Sequence, residues 1–199
     1  MNSKRKIIST KERNVTTYAE LWRTSYALLV KGQNELKMSA HQFRASLVFS
    51  AFTLEAYLNH IGSKIFTCWK DLERLSPKEK LNVIAERLNV DVNYGKKPWQ
   101  IMKELFQFRN DIAHGKNIKV KPENEIIPLE KYLDDNSHEL FELEPTRWEK
   151  YCTEKNAVRA REDIKAIVKI IHNAAGLEND FPFVSGFQIG SDTILEVDE

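Results

Sequence analysis

Arg109, Asn110, Asp111 and His114 fall within six consecutive residues, in the run Phe108-Arg109-Asn110-Asp111-Ile112-Ala113-His114-Gly115. Arginine grips phosphate through a planar fork of donors. Histidine has the side-chain pKa nearest neutrality, so it exchanges protons at working pH. Together the two could hold a phosphodiester and do chemistry on it. Spacing limits what one copy can do. On a helix, residues five apart point about 140° apart, so Arg109 and His114 diverge. Asn110 and His114, four apart, share a face. A second copy across a two-fold axis would bring two arginines and two histidines to one cleft. One histidine would then take the proton of a ribose 2′-hydroxyl and the other would protonate the leaving 5′-oxygen, while the arginines stabilise charge on the phosphate. That scheme calls for no metal and no cofactor.

Charge around the run agrees with a phosphate ligand. Between Lys96 and Lys121 stand seven basic residues and two acidic ones, in a chain whose formal net charge is +1. Lys96, Lys97, Lys116, Lys119 and Lys121 are therefore the expected RNA-binding residues. Trp99, Phe106 and Phe108 lie on or beside an apolar stripe and are read as core rather than as stacking platforms.

These residues need elements to position them. Ile101, Leu105, Phe108 and Ile112 recur at four, three and four, which predicts a helix from Pro98 to His114 stopped by Gly115. From Ala40 to about Trp69 the stripe Phe43, Leu47, Ala51, Leu54, Leu58, Ile61, Ile65 predicts a long amphipathic helix, with Ser39 as its cap. Glu55 falls inside it and must be paired if buried. Thr16 or Thr17, the latter with Glu20 in capping-box position, Ser76-Pro77 with Glu79, and Thr146 with Glu149 read as helix starts. The Thr17 start predicts a first helix to about Lys37. The Ser76 start gives a helix to about Leu88, and the Thr146 start one long helix to about Ala175. Lys116–Pro145, with prolines at 122, 128 and 145, reads as an irregular excursion, with a short helix near Leu129–Leu133. Residues 177–199 are acidic and Phe-containing. They are read either as a small hairpin turning at Gly190-Ser191-Asp192 or as a disordered tail.

The whole is an all-α chain of 199 residues in three parts: a flexible N-terminus (1–15), a helical domain (16–176) and the tail (177–199). A hydrophobic fraction of 42 % and a charged fraction of 30 % fit a globular protein and not a disordered one. Cys68 and Cys152 are isolated and have no zinc-like spacing, so they read as inert reduced thiols. His41, His60, His138 and His172 read as surface or core-edge residues. No signal peptide and no membrane span are expected, which points to the cytoplasm.

The motif resembles the signature of the HEPN family: an arginine and a histidine a few residues apart at the end of a late helix, here Arg109 and His114 with Asn110 following the arginine. The segment Ser50-Ala51-Phe52-Thr53-Leu54-Glu55-Ala56-Tyr57-Leu58-Asn59 resembles the small-residue helix with a buried glutamate that the family sets beside the motif helix. The likeness spans Ala40 to Ala175. It leaves out the first helix, the excursion after Gly115 and the tail. It implies a bundle of four to five helices, usually dimeric. In function it implies a metal-independent endoribonuclease of the toxin or phage-defence kind, with Arg109, Asn110 and His114 catalytic and Glu55 and Asp111 supporting. RNA would be the substrate, and an antitoxin or other regulatory protein a further partner. The alternative within the same family is a non-catalytic dimer that binds RNA, a nucleotide or a protein.

Overall fold

The bundle is arranged around α2 (Ser39–Ile65), 27 residues long. Phe43, Leu47, Ala51, Leu54, Tyr57, Leu58 and Ile61 are all buried along it. An apolar surface that wide needs neighbours on several sides. They are α1 (Thr17–Asn34), the short α3 (Trp69–Leu72), α4 (Pro77–Arg87), α5 (Ile101–Ala113) and α7 (Glu154–Ala174), all of which pack on α2. A further short helix, α6 (Arg147–Tyr151), packs on α5. The computed structural model describes residues 6–115, 117, 119–120, 145–177, 182–184 and 188–195. Among them the chain is predominantly helical, and no helix is long and apolar enough to cross a membrane.

Several boundaries differ from the sequence reading. The N-terminus is not simply loose: Lys6–Arg13 forms strand β1, antiparallel to β2 (Gln188–Leu195). Gly190, Ser191 and Asp192 make no turn. They lie inside β2, opposite Lys11, Thr10 and Ser9. A hairpin turned there would have had arms of only a few residues, whereas pairing with β1 lets eight residues share one ladder. The Thr146 capping box does start a helix, but that helix ends at Tyr151 and a new one starts at Glu154. The break is stabilised locally: Thr153 Oγ1 accepts from the Asn156 N–H, and the Tyr151 carbonyl accepts from Asn156 Nδ2. Helix α2 starts after Met38 in left-handed conformation, so Ser39 is its first residue and not its cap. Of the two candidate threonines Thr16 is the cap of α1, and α5 starts at Ile101 rather than Pro98. The short helix read near Leu129–Leu133 lies outside the described residues, as does His138.

At its C-terminal end α2 stops at Ile65 instead of continuing to Trp69. The chain turns back so that the Trp69 ring lies on Gly62. A Cβ at Gly62 would stand 2.3–2.4 Å from three ring atoms. Helix propensity alone would make Gly62→Ala stabilising by up to about 1 kcal/mol. Overlap with a buried indole costs more, typically about 1–3 kcal/mol. Gly62→Ala should therefore lower the melting temperature by several degrees, and Gly62→Ala with Trp69→Leu should recover part of it. A rise in melting temperature for the single variant would refute the close contact.

Most of the buried polar groups have partners, as burial requires. Ser46 donates to the Ser25 carbonyl at 2.7 Å, and Ser50 to Ser25 Oγ at 3.2 Å. Arg161 donates to the Trp22 carbonyl and to Ser25 Oγ, with its guanidinium 3.6 Å over the Trp22 ring. Burial pulls its pKa down to about 10. His172 is also buried, against Tyr57, and His60 lies beside Tyr18. Burial first, then Lys64 and His172, hold His60 below the ordinary histidine range.

Candidate RNA-processing site on the motif helix

Helix α5 is anchored by Ile101, Met102, Leu105, Phe106 and Phe108, all buried. Trp99 is buried as well, so these aromatics are core, as the stripe indicated. Arg109 follows Leu105 by four residues and so projects beside it, toward α2. There Arg109 Nη2 donates to Glu55 Oε2 at 2.8 Å. The other carboxylate oxygen, Glu55 Oε1, faces Lys80 Nζ at 3.8 Å. One glutamate from α2 thus joins a lysine from α4 to the arginine of α5.

Burial decides which of these charges is held most tightly. Lys80 is 3 % exposed, Arg109 18 % and Glu55 29 %. A buried ammonium is costly unless paired, and among the described residues Glu55 is its carboxylate partner. The sequence reading singled out Glu55 but missed Lys80. A signal was there: Lys80, Leu81, Ile84 and Ala85 form the buried face of α4, so a lysine in that register had to find an anion.

The rest of the motif is exposed. Asn110 faces solvent, and His114 is the exposed C-cap of α5, its N–H donating to the Asn110 carbonyl at 2.9 Å. Gly115 follows because a Cβ there would stand 2.7 Å from the Asp111 carbonyl. Asp111 points away from Arg109. Both its oxygens accept from Arg147 Nη2, at 2.9 and 2.7 Å, which fastens α6 to the motif helix. Arg147 is 68 % exposed, so this pair is worth at most about 1 kcal/mol.

An open groove of ≈ 780 Å³ runs along this side, between α5 and the turn that enters α4. Arg109 and Asn110 line it, with Arg74, Lys78 and Lys103; His114 stands outside its lining. Lys96 and Lys97 are exposed but precede the opposite end of α5, about 18 Å along the helix from its C-terminus. Lys119 is exposed, and Lys116 and Lys121 lie outside the described residues. The fold therefore divides the lysines that sequence proximity grouped. Beside the groove, the Ser76 hydroxyl and backbone N–H hold the Glu79 carboxyl below its ordinary range, as a closed capping box does.

Cys68 and Cys152 are free thiols, and burial raises Cys152. Among the described residues no group of three or more His, Cys, Asp or Glu could hold a metal ion. No protein-family model, curated protein or solved structure matches the chain.

Proposed function

We propose that the chain is a metal-independent endoribonuclease of HEPN type, acting as a homodimer in the cytoplasm as a toxin or phage-defence effector. The observation that carries the reading is Arg109 fixed by Glu55 at the edge of a cationic groove, with Asn110 and His114 exposed on the same helix end. A held guanidinium can meet a phosphate with little reorganisation. An exposed imidazole is free to exchange protons with substrate. In the dimer, one His114 accepts the 2′-hydroxyl proton. The 2′-oxygen attacks phosphorus, the P–O5′ bond breaks, and the second His114 protonates the departing oxygen. The products are a 2′,3′-cyclic phosphate and a 5′-hydroxyl.

The test is incubation of purified protein with single-stranded RNA in EDTA, with end-group analysis of products and sedimentation of the protein. Cyclic-phosphate ends, undiminished cleavage in EDTA and a dimer are expected. A need for added Mg²⁺, or a monomer at concentrations where cutting occurs, would refute the mechanism. One observation favours the non-catalytic reading: a single copy leaves His114 outside the groove that holds Arg109. A dimer that binds RNA but cuts none would make that reading the better one.

A further inference from the structure

We propose that the groove between α5 and the α4 entry is the track for the phosphodiester backbone of single-stranded RNA, held by Arg74, Lys78 and Lys103 rather than by Lys96 and Lys97. The proposal rests on the RNA-processing reading above and assigns its binding surface. The three side chains come from two segments, the entry to α4 and helix α5, are exposed, and line one groove together with Arg109. The two carboxylates in that lining are already engaged elsewhere, Glu55 by Lys80 and Arg109, and Asp111 by Arg147. Among the described residues none of Arg74, Lys78 and Lys103 is in an ion pair. No carboxylate among the described residues therefore neutralises them.

Distance and lining select the ligand class. Lys103 and Arg109 are six residues apart on one helix, about 9 Å along its axis, a spacing that lets them meet successive phosphates of one strand. Met102 and Phe106 are buried beneath the groove, so its accessible rim is set by the charged side chains, and a positively charged groove that follows a backbone suits a single strand. Lys78 occupies the first turn of α4, where the helix dipole disfavours a cation, and its ammonium stands 4.8 Å over the Tyr94 ring.

The probe is a fluorescein-labelled oligouridylate, titrated across salt concentrations against full-length protein carrying His114→Ala, so that the strand stays intact. Adding Arg74→Gln, Lys78→Gln and Lys103→Gln should weaken binding and flatten the slope of log affinity against log salt by about 2, three contacts at about 0.7 each. Lys96→Gln with Lys97→Gln should leave the slope unchanged. All the replaced side chains are exposed, and unaltered thermal melts check that folding is intact. An unchanged slope in the triple variant, a loss confined to the Lys96/Lys97 variant, or no saturable RNA binding by the parent overturns the proposal. So does labelled polyglutamate of matched charge binding as tightly, which would mark the face as a dock for an acidic polypeptide. Groove-dependent binding by a wild type that cuts no RNA would sink the catalytic reading alone. Cutting by the wild type together with an unchanged slope in the triple variant would sink the groove alone.

Discussion

His114→Ala should lower RNA cleavage by about 10²–10⁴-fold, the range for losing one proton-transfer group. Its fold should be unaffected, because the His114 side chain is exposed and its helix-closing hydrogen bond comes from the backbone. The stability change should stay within about 0.5 kcal/mol, as for other surface positions. Arg109→Ala should also reduce cleavage strongly, by about 10²–10³-fold for one lost charge-stabilising donor. It should differ from His114→Ala in one respect. Both residues lie at the end of the motif helix, yet Arg109 is partly buried and ion-paired to Glu55. Its removal should therefore cost measurable stability, while His114→Ala should not. Single-turnover cleavage and thermal denaturation of the two variants, run side by side, give both readings. Cleavage that survives in His114→Ala would remove this residue from the mechanism.

Glu55→Gln is expected to be the most destabilising conservative change near the site. It leaves Lys80, 3 % exposed, without its anion. Breaking a buried pair costs about 3–5 kcal/mol. The partial exposure of Glu55 places the value near the lower end, about 3 kcal/mol, or about 6–12 °C in melting temperature for a chain of this size. Lys80→Met should be close to neutral, since an apolar side chain of similar volume suits the site. The double variant should then recover most of the loss, and a double-mutant cycle measures the coupling. Cleavage gives an independent readout. Glu55→Gln weakens the hold on Arg109 and should lower the rate even at temperatures where the protein is folded, whereas Lys80→Met keeps Glu55 on Arg109 and should retain most activity. Equal melting temperatures for Glu55→Gln and wild type would mean that Lys80 finds another acceptor.

Much of this molecule is determined by local sequence. Apolar residues at three and four specify α2 and α5, and Ser76 with Glu79 fixes the start of α4 through a box closed within four residues. The candidate motif is equally local, since Arg109, Asn110 and His114 lie on one helix end by spacing alone. Tertiary structure decided what each of those groups touches. Glu55 and Arg109 are 54 residues apart in the chain, and only the packing of α2 on α5 gives the carboxylate its arginine. The same packing supplies Lys80, which local pattern marks as buried without saying which anion neutralises it. The basic residues show the same division. Sequence proximity grouped Lys96 and Lys97 with the motif, but a helix of about 18 Å holds them at its far end, and the turn into α4 brings Arg74 and Lys78 to the groove instead. Periodicity acts over one or two turns and so can be read residue by residue. Charge pairing acts through space, across whichever helices the core places together, and is decided only once the chain is folded.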